Sequence, residues 1–213
     1  MIDPSRSFRR LLATVAAALT IPVVFAQDIP KPDTDIAKQP AGDYTLDPTH
    51  ASVTWRIAHL GLSQYTARFD KMDAKAYLNP ISPAANRVEF TIDVASINTG
   101  LAPFNVKLQG APYFDAEKNP RIIFKSTRFE RIEGNRYRVT GDMTMRGVTK
   151  PQSFEVTFNG GLYAAFFQRH IVGFSAKGTV KRSDWGMTEG IQYVSDLVDV
   201  AIEAEFMHRP VSQ

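Results

Sequence analysis

Residues 88–94 read Val-Glu-Phe-Thr-Ile-Asp-Val, so that Val88, Phe90, Ile92 and Val94 alternate with Glu89, Thr91 and Asp93. A repeat of two places every apolar side chain on one face of an extended chain, whereas a helix would scatter the same residues around its axis. The repeat extends outward in both directions. Before it, Val53, Trp55 and Ile57 alternate with Thr54, Arg56 and Ala58; after it come Tyr137, Val139, Gly141, Met143 and Met145, then Phe154, Val156 and Phe158. Val172, Phe174 and Ala176 follow, and last Val198, Val200, Ile202, Ala204 and Phe206. Residues 65–78, read as one long bent strand, and 122–129 bring the set to about eight, with turn signals at Glu133-Gly134-Asn135 and Asn159-Gly160-Gly161. One stretch breaks the pattern. In residues 98–115 (NTGLAPFNVKLQGAPYFD), Leu101, Phe104, Leu108 and Phe114 recur at three to six residues, which predicts a short helical insertion near residues 100–115 lying across one end of the sheet. The fold class is therefore all-β. Eight or so long strands favour an extended antiparallel β-barrel, because closure removes the exposed edges of an open sheet. Such a barrel is wide enough to be filled by its side chains or to hold one small ligand, and here the inward residues are apolar and aromatic.

The chain of 213 residues carries 25 Lys+Arg, 22 Asp+Glu and no cysteine, with a hydrophobic share of 44%. That composition excludes a disordered chain, disulfides, thiolate metal sites and a cysteine nucleophile. Residues 1–26 (MIDPSRSFRRLLATVAAALTIPVVFA) set Arg6, Arg9 and Arg10 ahead of an uncharged run that ends in Val24-Phe25-Ala26. This is the pattern of a cleaved signal peptide, and the run is short of the roughly 20 residues a spanning helix needs. Removal of this segment would leave 187 residues with 22 basic and 21 acidic side chains. The sequence pI of about 9.1 is then no pointer to nucleic acid, and no Lys/Arg run longer than two remains to capture it. Residues 27–41, with three prolines and alternating charges, read as a flexible linker; 42–207 form the domain and 208–213 a tail. Export to the periplasm is expected.

Residues 44–63, YTLDPTHASVTWRIAHLGLS, resemble the opening signature of the YceI-like family of bacterial lipocalin-like proteins. VEFTIDVASINTG, PYFDAEKNPRIIFKST, YRVTGDMTMRGVTKP, VKRSDWGM and VSDLVDVAIEAE follow in the family's order, so the resemblance covers nearly the whole domain from Gly42 to about Phe206. It implies a lipocalin-like barrel with an apolar tunnel for polyisoprenoid or similar long amphiphilic chains, in the periplasm. The chain departs from the family in the helical insertion, where the usual R-D-x-H-L is replaced by Phe104-Asn105-Val106-Lys107-Leu108, and at Ala51 and Trp55 in place of serine and phenylalanine. The charged group offered to a headgroup is thereby changed.

The candidate binding residues are the apolar, aromatic and thioether side chains of the tunnel together with polar groups at its mouth: Trp55, His59, Phe69, Phe90, Ile92, Phe104, Asn105, Lys107, Leu108, Phe124, Met143, Met145, Phe154, Phe158 and Phe174. The headgroup is expected at His59, Asn105 or Lys107, and the ligand to be a lipid such as a polyprenyl or quinone tail, with no other cofactor. His50 and His59 lie nine residues apart on one strand, about 30 Å at strand rise, and cannot share a metal; His50 is expected to close a turn after Asp47-Pro48, and no metal site is expected. Asp47, Asp142, Arg146 and Asp184 sit in or beside turns and are expected to pair or cap, with Arg146-Gly147 as a sharp turn. Two other readings stand beside the carrier, which is not an enzyme: an enzyme using Asp142, Arg146 or Asp184 on a small periplasmic substrate, and a module docking on a quinone-handling membrane partner such as a cytochrome. The oligomeric state is expected to be monomer or homodimer. An outer-membrane barrel is a poor fourth reading, since outward faces rich in Thr, Glu, Asp and Arg cannot meet lipid.

Overall fold

The computed structural model describes residues 30–209; the expected export segment lies outside them. Ten strands appear there in chain order: β1 Gly42–His59, β2 Ser63–Phe69, β3 Met72–Leu78, β4 Arg87–Asp93, β5 Ile97–Asn98, β6 Arg121–Glu133, β7 Arg136–Met145, β8 Val148–Ala164, β9 Arg169–Lys181 and β10 Val194–His208. All neighbours are antiparallel, and β10 pairs back onto β1 from Tyr44↔His208 to His59↔Val194, which closes the sheet into an eight-stranded barrel. β2 and β3 together form one side of that barrel. β2 pairs with Val53–His59 and β3 with Gly42–Thr45, so residues 65–78 run along a single partner strand but are interrupted at Asp70-Lys71. Between those two pairings, β1 loses register from Leu46 to Ala51, and Pro48, which has no N–H to offer a ladder, occupies the irregularity.

The inward positions of β7, namely Tyr137, Val139, Gly141, Met143 and Met145, are all buried, as the two-residue repeat requires. Arg146 (φ 53°) and Gly147 (φ 74°) make the two-residue turn from β7 to β8, both left-handed as a tight hairpin needs. A single helix, α1 (Ala102–Gln109), lies in the predicted insertion, with Leu108 buried beneath it. It shares the end of the barrel where β1 passes into β2 and where Arg182–Trp185 form a short 3-10 turn.

Two expectations are corrected. Asn159-Gly160-Gly161 is not a turn; it lies inside β8, where the register with β9 shifts between Phe158 and Gly160. The two glycines mark a close approach of backbone. Asp33 and Gly161 exchange backbone hydrogen bonds of 2.8 and 2.9 Å, and a Cβ at Gly161 would collide with the Gln39 carboxamide. The second correction follows from the first. Residues 33–39, read as part of a flexible linker, are held on the barrel: Gln39 is buried, Ile36 packs on the core, and the Tyr44 hydroxyl donates to Pro40 O at 2.7 Å. The polar composition of the segment concealed its one apolar anchor.

Candidate functional site

Inside the barrel lies a cavity of about 630 Å³, within the range of ligand pockets. Its shape explains a contrast among inward side chains. Val53, Phe69 and Val139 are 1–4% exposed, whereas Trp55, Phe104, Phe124, Phe174, Val200 and Ile202 point the same way but stay only half-buried. The hollow supplies that residual exposure, so the core is a packed shell around an open lumen.

Strand alternation positions the walls. Trp55, His59 and Phe69 come from β1 and β2, with Phe104, Lys107 and Leu108 from α1 closing over them; Phe90, Ile92 and Phe124 come from β4 and β6, and Met143, Met145, Phe154 and Phe174 from β7 to β9. Edge-to-face pairs hold the rings in place: Phe124 with Phe154 at 5.4 Å, Phe69 with Phe114 at 5.7 Å, and Phe104 with Tyr65 at 5.8 Å. Methionine thioethers on the same surface adapt to irregular guests. Among the sequence candidates, two lie elsewhere. Phe158 is fully buried against Phe174 and does not reach the lumen. Asn105 turns away from the mouth, because its Oδ1 accepts from both the N–H and the hydroxyl of Thr99 at 2.8 and 2.6 Å and so ties α1 to the segment before it. The sequence reading omitted Ile36, Tyr65, Tyr113, Phe114 and Phe129, which also line the lumen. Val156, Ala176, Val200 and Ile202 do so as well, and their alternation with the named residues was the signal that would have found them.

The mouth is built where β1, β2, α1 and residues 186–194 meet. Its polar lining consists of His59, Ser63, Lys107, Arg182 and Glu189. Arg182 is 4% exposed, and its guanidinium donates to Met187 O, Glu189 O, Val194 O and Ser195 O at 2.8–3.1 Å. Burial lowers its pKa from the ordinary arginine value, against the opposing pull of Asp196. Arg146 likewise donates to the carbonyls of Ala111, Tyr113 and Trp185, so it anchors the loop after α1 to the base of the mouth. Asp142 is exposed on β7, between the inward Gly141 and Met143, and Asp184 lies in the 3-10 turn. None of Asp142, Arg146 and Asp184 lines the lumen.

His50 is tied to Asp47 through its Nδ1 and Asp47 Oδ2 at 2.8 Å, closing the irregularity in β1. Glu205 completes a trio whose ligating atoms lie within 4.8 Å of one another. Asp47 Oδ1 already accepts from the N–H and hydroxyl of Thr49, so both oxygens of this carboxylate are engaged within the turn. Burial pushes the Asp47 carboxyl up, but the bonds from Thr49 and His50 outweigh this and hold it below the usual carboxylate range. The His50 pKa is raised, first by its bond to Asp47 and then by the charge of Glu205. A raised histidine contributes stability that is complete below its unfolded pKa near 6.5 and is lost as pH rises through the folded value. A lowered Asp contributes above its unfolded pKa near 3.9 and loses that contribution as pH falls through the folded value. The pair is thus expected to stabilise the barrel fully between about pH 4 and 6.5. An NMR titration should place the His50 midpoint above that of a free histidine, and Asp47→Asn should bring it down; an unchanged midpoint would contradict the coupling.

The YceI-like domain model matches residues 44–206. The chain is 32% identical over 167 residues to Protein YceI of Escherichia coli O157:H7, covering 78% of this chain and 86% of that one. The crystal structure of the Campylobacter jejuni YceI protein superposes with a TM-score of 0.64 at 28% identity, covering 72% of this chain and 90% of that one. A polyisoprenoid binding domain from Saccharophagus degradans, implicated in plant cell wall breakdown, shares the fold with a TM-score of 0.59 at 15% identity, over 78% of this chain and 98% of that one. Signature, barrel and family match agree over the same residues, and the chain belongs to the YceI-like family.

Proposed function

We propose that the protein is a periplasmic carrier that encloses the tail of a long apolar or amphiphilic lipid, of the polyprenyl or isoprenoid-quinone kind, in its barrel. The observation that carries this reading is the lumen itself: an apolar cavity of about 630 Å³ lined by aromatic, aliphatic and thioether groups. Each buried CH₂ contributes about 0.8 kcal/mol, so a tail gains useful affinity there without any charged contact. A largely pre-formed site preserves that gain, because little ordering opposes it on binding. The polyisoprenoid-binding name of the Saccharophagus degradans relative supports the choice of tail. Periplasmic location rests on the export signature of residues 1–26.

The mouth favours an uncharged headgroup. A phosphate or diphosphate is held by several cations, but the guanidinium of Arg182 is committed to four carbonyls and Glu189 stands beside it, which leaves one lysine, Lys107, with the His59 imidazole to meet an anion at the mouth. Solvent extraction of protein purified from its own host, followed by mass spectrometry, is expected to recover a long-chain lipid. In competition against a fluorescent lipid probe, geranylgeraniol should displace the probe at least about tenfold more effectively than geranylgeranyl phosphate, because burying an unpaired charge costs more than burying a hydroxyl. Repeated recovery of no lipid, with no displacement by either compound, would overturn the carrier reading.

A further inference from the structure

The rim around the mouth is apolar and faces outward. Leu60 and Leu62, on the turn from β1 to β2, are 55% and 82% exposed, and Ile191 and Tyr193, on the segment before β10, are 39% and 57% exposed. These two segments are one surface: Leu60 N–H donates to Tyr193 O at 2.9 Å, and His59 pairs with Val194 immediately below. Val106, on the outward side of α1 next to Lys107, is exposed at the same mouth.

Leu60 is left-handed, with φ 52°. A bulky side chain there is an outlier, since the position suits Asn or Gly, and an exposed leucine gains no packing in return. Leu60 and Gly61 (φ 71°) make the β1–β2 turn as Arg146 and Gly147 make theirs, but a turn of this kind does not itself call for an exposed leucine. The charge pattern is equally selective. Residues 60–65 (LGLSQY) and 190–195 (GIQYVS) contain no Asp, Glu, Lys, Arg or His, although the chain as a whole is richly charged.

We propose that this rim docks the barrel mouth on the surface of a lipid bilayer, with Leu60, Leu62, Ile191 and Tyr193 entering the interfacial layer and Lys107 beside the headgroups. The proposal rests on the reading of the cavity as a tail-binding site and adds where the tail enters. An apolar tail crossing water would lose the favourable burial of every CH₂ it exposes, so a mouth in contact with hydrocarbon lets the chain pass from one apolar phase to the other. Uncharged turns with leucines and an amphipathic tyrosine meet the interface without desolvating an ion, and tyrosine is suited to a boundary that is apolar below and wet above. A charged protein surface has no complementary partner on these two turns. The far end of the barrel supplies an internal comparison, since the turn from β8 to β9 exposes Phe166 (91%) but lies away from the lumen.

The test uses the full mature protein and protein-free vesicles of phosphatidylethanolamine and phosphatidylglycerol. Binding is read by co-sedimentation, and uptake by the rate at which a fluorescent prenol leaves the vesicles. The double variant Leu60→Asn, Leu62→Ser is expected to lower vesicle binding and uptake by at least about tenfold, given the two apolar side chains removed from the interface. It should still bind the same prenol at wild-type affinity when this is delivered from solution, because neither residue lines the lumen. Phe166→Ser should change neither quantity. Absence of vesicle binding in the wild type, or unchanged binding and uptake in the double variant, would each overturn bilayer docking. Failure of the wild type to bind prenol from solution would instead overturn the carrier reading on which it rests.

Discussion

A phenylalanine at Ala176 is expected to reduce affinity for a long-chain lipid by about two orders of magnitude while leaving the melting temperature unchanged or raised. Ala176 lies at mid-wall on β9, between Val156 of β8 and Ile202 of β10, and all three side chains line the lumen. Because the position is half-buried and borders the open lumen, a ring there has space to enter. Excluding about four CH₂ groups of a guest removes about 3 kcal/mol, which is the stated loss in affinity. The protein itself has the opposite interest, since a filled hollow restores dispersion contacts that an empty one lacks. Equilibrium binding of a fluorescent prenol and a thermal melt on the same sample decide the matter. An affinity within twofold of wild type would mean that the tail does not occupy the barrel, whatever the cavity looks like.

This opposition between binding and packing is also why only part of the site was legible in the sequence. The two-residue repeat identifies which face of a strand turns inward, because the pleat enforces it, and from Val53 to Phe206 the faces came out as read. It does not specify depth. Phe154 and Phe158 alternate identically on β8, yet one borders the lumen and the other is sealed against Phe174. Glycine pairs were ambiguous for a related reason. Asn159-Gly160-Gly161 has the composition of a turn, but the missing side chains serve the approach of Asp33 and Gln39, a contact between segments more than a hundred residues apart. Asn105 was misplaced because a polar residue near a mouth can as readily accept from a backbone N–H as face a ligand, and Thr99 decides between the two.

Arg182 illustrates the remaining gap and yields the second large effect. In the sequence it is one letter of VKRSDWGM; in the structure it is the frame of the mouth. The planar fork of N–H donors on its guanidinium gathers the accepting carbonyls of residues 187, 189, 194 and 195, while Asp196 accepts from the N–H and hydroxyl of Ser183 at 2.9 and 2.7 Å and Trp185 Nε1 donates to Met143 O at 3.2 Å. Arg182→Met keeps an unbranched apolar stem in place of the arginine's and removes every donor, so these carbonyls must either stay unpaired or be hydrated by opening the loop. Leaving buried acceptors without partners costs about 1–3 kcal/mol each, and partial opening relieves some of this, so a net loss of about 3–5 kcal/mol is expected. Arg182→Lys should recover little, because an ammonium is a point donor and cannot span a planar fork. Chemical denaturation would measure the loss, and hydrogen exchange would locate it: protection should fall first in residues 186–195 and only then in β7 or β8. The same loop carries Glu189, Gly190 and Val194 into the mouth, so its opening should also speed release of a bound prenol. A variant as stable as wild type, with the loop still protected, would show that the mouth is held by Trp185 and Asp196 alone.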